Sequence, residues 1–391
     1  ELRLLVACTA WPPGPARTTA ITAAVDDPAL DWERVLIAVD RHRVAGFVHH
    51  GLTAAAAGGA PATREAIRGR AAGDALLNLR LLGEALRLVA LLTEAAIPVQ
   101  VLKGPGLMVE AYGDLTVRQS RDLDLLVPLE HVRRAADICE RAGYAPLPPT
   151  AHEPDPAMSL WLAWKKDFVF LAPATGVLLE LHFRPTYSPL LSDRLDLLAE
   201  TREIAVAPGR TAPVPTRDAL YAYLCVHGAR HAWFRLKWLG DIAALTAGMP
   251  DPEIADLHAM ASARGAGRAS GQALLLLEAV YGRSLAAALR RELLGDPRVA
   301  RLFRFGLRAI TDPREPSTVP GASLKFFLHG LLLDNSWAFR MHETRAWLLL
   351  WPLIDAVPLP RPLWFLYLLL AGPLRLTEKV AGLMRIGDHR S

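Results

Sequence analysis

Between residues 97 and 185 the apolar residues leave helical spacing and gather into short runs closed by glycine or proline. The runs are VQVLK (99–103), DLDLLV (122–127), KDFVFLA (166–172) and GVLLELHFRP (176–185). Short apolar stretches bounded by turn formers are the signature of buried β-strands. Pro173-Ala174-Thr175-Gly176 joins the last two as a hairpin signal. Gly104-Pro105-Gly106 breaks the first run and opens a helix over 107–113, and residues 128–144 carry an amphipathic helix ended by Gly143. Strands alternating with helices in this way make an α/β or α+β unit around a small mixed sheet.

The flanks read differently. Residues 31–52 and 73–95 have apolar positions at helical spacing, and from Thr216, a plausible N-cap, the pattern stays helical almost to the end. APGRTAPVPT (207–216) is Pro-rich and linker-like. The expected class is therefore α+β, with a helical N-terminal region (1–96), a small mixed-sheet core (97–210) and a large helical C-terminal domain (211–391). The hydrophobic share of 52% and charged share of 21% fit a globular chain.

Composition excludes several functions. A net charge of +4 with no block of basic residues argues against bulk nucleic-acid binding, while a local anion site stays open. The cysteines, Cys8, Cys139 and Cys225, are widely spaced, which argues against a disulfide framework and a zinc-thiolate centre. No signal peptide is visible, so a cytoplasmic location is expected. Ala346 to Leu374 is strongly apolar, with Asp355 and Arg361 its only charges and Trp347, Trp351 and Trp364 interspersed. Its longest uncharged stretch is shorter than the ~18–20 residues of a spanning helix. It reads as a buried helical hairpin, or as a surface for peripheral membrane or oligomer contact.

Asp122 and Asp124 carry the chemistry. In a strand, residues i and i+2 share a face, so both carboxylates project together while Leu123 and Leu125 point into the opposite layer. Two converging carboxylates resist ionising together unless a cation lies between them, and Mg²⁺ favours such oxygen ligands. The competing reading is a solvated strand face. Lys103-Gly104-Pro105-Gly106 at a strand-to-helix turn allows close approach of an anion to backbone N–H groups. Glu180 stands alone in an apolar strand and needs a partner: a third place in the carboxylate cluster, or a salt bridge to Arg184 or Arg118. His182, on the same strand face, is placed to orient an acceptor or act as a base. Lys165 and Lys166 read as solvated, with phosphate contact as the alternative.

A second block, HGARHAWFRLKWLGDIAAL, puts His227 and His231 four apart on one helical face. With no third ligand in view, zinc is disfavoured. With Arg235, Lys237, Trp238 and Asp241 these histidines form either a wall over the site that meets phosphates or an interdomain polar network. In the network reading Asp241 pairs with Arg235 or a histidine.

LKGPGL, then RQSRDLDLLV, then LELHF, then HGARHAWFRLKWLGDIAAL occur in an order that resembles the bacterial uncharacterised nucleotidyltransferase family. That family lies within the DNA-polymerase-β-like nucleotidyltransferase superfamily, and the resemblance covers roughly residues 30–250. It implies a polymerase-β-like core with Gly104 in the phosphate-binding turn. Asp122 and Asp124 would hold two Mg²⁺ ions, with Mn²⁺ as a substitute, and Glu180 would be the third carboxylate. Lys103, Gly106, Arg118, Ser120, Arg235 and Lys237 would contact an NTP, ATP first among them. Members occur near lasso peptide genes, which implies a peptide or small-molecule acceptor. The chain departs from the superfamily at Pro105, which lacks an N–H, and in a longer gap to the first Asp.

The expected activity is Mg-dependent transfer of a nucleoside monophosphate to a hydroxyl or phosphate. Asp122→Asn or Asp124→Asn is expected to abolish it with the fold intact. The alternatives are a catalytically degenerate nucleotide-binding scaffold and a membrane-surface protein working through its apolar C-terminus.

Overall fold

In the computed structural model the described residues are 1–152, 157–319, 321–348, 359–360, 363–367 and 369. Most of the apolar 346–374 stretch lies outside them. Among the described residues no helix is long and apolar enough to cross a membrane.

The N-terminal helices are α1 (Leu2–Thr9), α2 (Pro15–Val25), α3 (Trp32–His42), α4 (Ala45–Ala54) and α5 (Pro61–Glu94). The expected helix over 31–52 is broken. Arg43 takes the left-handed conformation (φ 58°) and its N–H closes the end of α3 on Asp40 and Val39 carbonyls. Asp31 opens α3 by accepting from the Glu33 and Arg34 N–H groups. In α4, Gly46 leaves room for the 116–117 backbone, since a Cβ there would sit 2.5 Å from the Val117 carbonyl oxygen. That close approach fixes the loop leading into the strand of Asp122.

The mixed sheet has five strands in the order β1-β2-β5-β4-β3. They are β1 (Gln100–Val101), β2 (Asp122–Leu126), β3 (Ala145–Pro146), β4 (Asp167–Leu171) and β5 (Leu178–His182). β2 is parallel to β5, and β4 is antiparallel to β5 through the expected hairpin. Period-2 alternation divides the faces. Leu123, Leu125, Phe168, Phe170, Leu179 and Leu181 are buried together with Leu81, Leu88 and Leu92 of α5 and with α7 (Val132–Arg141). At ~25 cal/mol per Å² of apolar surface, burying each such side chain contributes about 1.5–3 kcal/mol. The opposite face keeps the acids. Pro146 sits on edge strand β3, where its missing N–H breaks no ladder.

The stretch expected as a linker is instead a strand. β6 (Thr201–Ala207) and β7 (Arg210–Pro215) form a separate antiparallel hairpin, turning at Pro208-Gly209. Its residues Ile204, Val206, Ala212 and Val214 join the sheet core. Helices α6 (Pro105–Tyr112), α8 (Ala157–Trp164) and α9 (Pro189–Leu195) punctuate this region.

The C-terminal helices begin with α10 (Arg217–Arg230) and α11 (Leu236–Leu245) and continue to α17 (Trp337–Leu348). Their apolar residues, such as Leu220, Leu239 and Leu276, form one continuous core with Leu4, Val39 and Phe47 of the N-terminal helices. The sheet is thus flanked by helices contributed from both ends of the chain.

Candidate functional site

The parallel register of β2 and β5 decides which acids meet. Asp124 pairs directly with Glu180, Leu126 with His182, and Asp122 with Leu178. Partners in a sheet share a face, so Asp124, Glu180 and His182 converge, with ligand atoms within 4.8 Å of one another. His182 Nε2 lies 3.1 Å from Asp124 Oδ1 and 3.2 Å from Glu180 Oε2. Two carboxylate oxygens around one ring nitrogen assign the proton to Nε2, which donates to both. The expected trio of Asp122, Asp124 and Glu180 is therefore not the tightest cluster. Asp122 falls one pleat back toward the start of β2, because the register gives it an apolar partner.

Lysines complete the group. Lys103 Nζ stands 3.0 Å from Asp124 Oδ1. Lys166 Nζ stands 2.5 Å from Asp167 Oδ2 and 3.0 Å from Glu180 Oε2. Lys166 was expected in solvent. Instead β4–β5 pairing sets Asp167 opposite His182, and the lysine at the mouth of β4 folds onto both acids. Glu180 accordingly takes Lys166 as its partner. Arg184, the alternative, donates to the carbonyls of Leu162 and Lys165 instead.

These contacts set the electrostatics. Burial pushes the Asp124 carboxyl up, yet Lys103 and the His182 hydrogen bond overcome it and hold it at about 2. Burial acts likewise on Glu180, and Lys166 followed by His182 brings it well below the usual carboxylate range. Burial and then the neighbouring Asp124 charge push Asp122 up. Burial works against the Lys103 charge, but Asp124 outweighs it and raises the ammonium.

A divalent cation fits this arrangement. Asp124 Oδ2 is buried without a hydrogen-bond partner, so one ligand lone-pair set remains free. Asp122, Asp124, Asp167 and Glu180 outnumber the Lys103 and Lys166 ammoniums. The surplus negative charge calls for a cation.

At the turn, Gly104 adopts φ 62°, a conformation that glycine takes without strain. A Cβ there would be 3.6 Å from Ser120 Oγ and 3.9 Å from the Asp122 carbonyl oxygen, so the turn lies against the entry to β2. Gly106, within α6, packs on Val214, with only 2.8 Å between its hypothetical Cβ and Cγ1. It is a packing position.

The remaining expected residues divide. Arg118 is buried and bound bidentately to Asp241, at 2.6 Å and 2.9 Å. Tyr112 adds a third hydrogen bond to Asp241 at 2.9 Å. Asp241 thus pairs with neither Arg235 nor a histidine. Arg235 binds Glu315 and the Arg41 carbonyl. Lys237 donates to the Gln119 carbonyl at 3.3 Å, and burial, then Arg118 and Arg43, push its ammonium far down. His231 stacks on Trp238 with centroids 4.9 Å apart, and His227 meets the same indole edge-on at 5.5 Å. Burial and then the Lys103 charge press His227 far down, which puts this aromatic group within electrostatic reach of the site lysines.

Residues that the sequence did not single out also reach the site. Tyr223 of α10 is within electrostatic range of Lys103 and Asp124. Tyr187 lies under Lys166, with Nζ 5.5 Å from the ring centroid. No sequence motif marks either one; only the packing of α10 and the 183–188 segment brings them in.

In a comparison with known families, the model described as uncharacterised nucleotidyltransferase matches residues 28–282. That span holds the carboxylates, the Gly104 turn and the aromatic wall. No curated protein matches the chain.

Proposed function

The chain belongs to the uncharacterised nucleotidyltransferase family, and from that premise we propose that it transfers a nucleoside monophosphate from an NTP, ATP first among them. The acceptor is a hydroxyl or phosphate of a small molecule or peptide, with lasso-type peptide natural products as the first candidates, and the setting is cytoplasmic. The observation that carries this reading is the Asp124–Glu180 register pair, half enclosed by His182 and Lys103, beside the Gly104 turn.

Asp124 and Glu180 would hold the cation, with Asp122 joining from the start of β2. Mg²⁺ there, as two ions, or Mn²⁺ in its place, would neutralise triphosphate charge and lower the pKa of the acceptor hydroxyl. Lys103 adds positive charge beside the Gly104 turn, where backbone N–H groups receive phosphate oxygens. Ser120 Oγ and Lys237 line the same entry. His182 donates to both carboxylates and fixes their orientation. The acceptor oxygen attacks the α-phosphorus in line and gives up its proton to solvent. The bond to the bridging α–β oxygen breaks and pyrophosphate leaves. The aromatic group of His227, His231 and Trp238 offers a face to the base.

The test is incubation with Mg²⁺ and each α-labelled NTP, followed by pyrophosphate release and mass spectrometry of candidate acceptors. Transfer by the wild type and none by Asp122→Asn supports the reading; equal turnover by both overturns it. A second reading, a nucleotide-binding scaffold, is favoured by Pro105, which removes one phosphate donor, and by the engagement of Lys103 with Asp124. A scaffold would bind NTP without releasing pyrophosphate.

A further inference from the structure

Beside the carboxylates lies a cleft of about 510 Å³ whose walls come from four distant parts of the chain. The α3 end supplies Arg41 and Arg43, the loop before β2 supplies Gln119 and Arg121, the approach to α11 supplies Arg235, and the 313–315 segment supplies Glu315. A smaller cavity of about 130 Å³ shares Arg43 and Gln119 with it. Its acids are already engaged: Asp40 binds Arg70 at 2.6 Å and 3.0 Å, and Glu315 binds Arg235. Arg41 directs its N–H groups to the carbonyls of Phe234, Ala309 and Arg314. Among the described residues, no hydrogen bond or ion pair engages the guanidinium of Arg43 or of Arg121.

Arg121 is exposed and Arg43 half-buried, and Asp122 and Glu315 offset the Arg43 charge only in part, so both guanidiniums keep donors free for an anion. Their mutual effect is visible. Burial, then Arg235 and Arg121, brings the half-buried Arg43 guanidinium down to about 10. The cleft is also close to the reaction centre, since Arg121 in its wall directly precedes Asp122. Gln119 Oε1 is buried in its wall without a partner, free to accept from a hydroxyl of the same ligand.

We propose that this cleft is a phosphate-binding subsite, in which Arg43 and Arg121 form charge-assisted hydrogen bonds to a phosphate group carried by one of the substrates. Guanidinium suits that ligand through its planar pair of donors. The phosphate belongs either to the triphosphate tail of the NTP or to a phosphorylated acceptor. Binding stands on the cleft alone; its place in catalysis rests on the nucleotidyl-transfer reading.

The test uses the full chain and inorganic pyrophosphate, titrated calorimetrically with EDTA present so that no cation bridges it to the carboxylates. The variants are Arg43→Asn, chosen because Asn tolerates the left-handed backbone, Arg121→Ala, and the two together. Wild-type binding that falls about tenfold or more in the double variant supports the subsite, given unchanged melting temperature. Absence of wild-type binding, or equal binding in the double variant, overturns it. The Kd for Mg²⁺ with a non-hydrolysable ATP analogue then separates the sources. A parallel loss assigns the triphosphate tail; an unchanged Kd, with pyrophosphate still bound at saturating analogue, assigns the acceptor. Pyrophosphate binding at the cleft in a chain that transfers no nucleotide would sink the transfer reading and leave this one standing.

Discussion

Lys103 Nζ lies 3.0 Å from Asp124 Oδ1, and the carboxylate it faces is buried. This pair alters what Asp→Asn substitutions should do. Removing one partner of a buried ion pair strands the other and costs about 3–5 kcal/mol. Asp124→Asn should therefore lower the melting temperature by several degrees as well as abolish transfer. That departs from the sequence-based expectation of an intact fold. Asp122, less buried and under pressure from Asp124, should lose transfer on mutation to Asn while keeping or gaining stability. Pairing Asp124→Asn with Lys103→Met should restore the melting temperature without restoring pyrophosphate release. Thermal melts and a pyrophosphate assay on the three proteins decide it.

Cation binding should be visible without turnover. A ligand that binds only the folded state adds RT ln(1 + [L]/Kd), about 2.7 kcal/mol at a hundredfold excess over Kd. Mn²⁺ or Mg²⁺ should raise the wild-type melting temperature, and EDTA should reverse it. Glu180→Gln should remove most of the shift, because Glu180 Oε2 sits within the ligand cluster. An equal shift in Glu180→Gln would place the ion elsewhere.

Acid should act through Asp124 with a definite sign. Its folded value of about 2 lies below the unfolded ~3.9, so its stabilisation is complete above about pH 4 and is lost as pH falls toward 2. The contribution is about 2–3 kcal/mol, at ~1.4 kcal/mol per unit. Asp122 has the opposite sign: raised in the fold, its charged form opposes folding above its unfolded value. The stability advantage of Asp122→Asn over wild type should therefore be largest near neutrality and shrink toward pH 3. Denaturant midpoints for both proteins at several pH values test this.

The aromatic wall makes a separate prediction. Burial first, then neighbouring cations, presses His227 far down and His231 to about 3, so both rings stay neutral from pH 5 to 8. Neutral rings packed on Trp238, His231 stacked and His227 edge-on, present a π-surface to a base. Trp238→Ala should weaken binding of an ATP analogue by about 1–3 kcal/mol, the usual loss for one base–aromatic stack. Binding of the base moiety should be flat over the same pH range. Unchanged affinity in Trp238→Ala would make the wall part of the core.

What was legible follows from period. The i, i+2 spacing of Asp122 and Asp124, and the isolation of Glu180 among leucines, show in one dimension because strands alternate faces. Which acid would oppose Glu180 does not, because parallel register is set by the packing of the connecting helix and hairpin. Lys166 looked solvated for the same reason: only the Asp167–His182 pairing shows that it folds inward. β7 was hidden by Pro213 and Pro215, read as linker residues though both lie in the strand. Arg43 and Arg121 carried no local signal, since the cleft exists only once α3, the β2 loop, the α11 approach and the 313–315 segment meet.

The same logic governs Arg118 and Asp241, 123 positions apart and nearly fully buried. The resemblance assigned Arg118 to the nucleotide, whereas its Nε and Nη2 are both committed to one carboxylate that also accepts from Tyr112. The pair ties the loop before β2 to α11, and so aligns Asp122 with the aromatic wall. Arg118→Ala should cost about 3–5 kcal/mol by stranding Asp241. Arg118→Met with Asp241→Asn should recover much of that loss, since replacing both charges removes the stranded ion. If Arg118 instead served the nucleotide directly, the double variant would stay as deficient in ATP-analogue affinity as the single one while regaining stability. Melting temperature and analogue Kd, measured on both variants, separate a tether from a ligand contact: a tether predicts that the two quantities recover together.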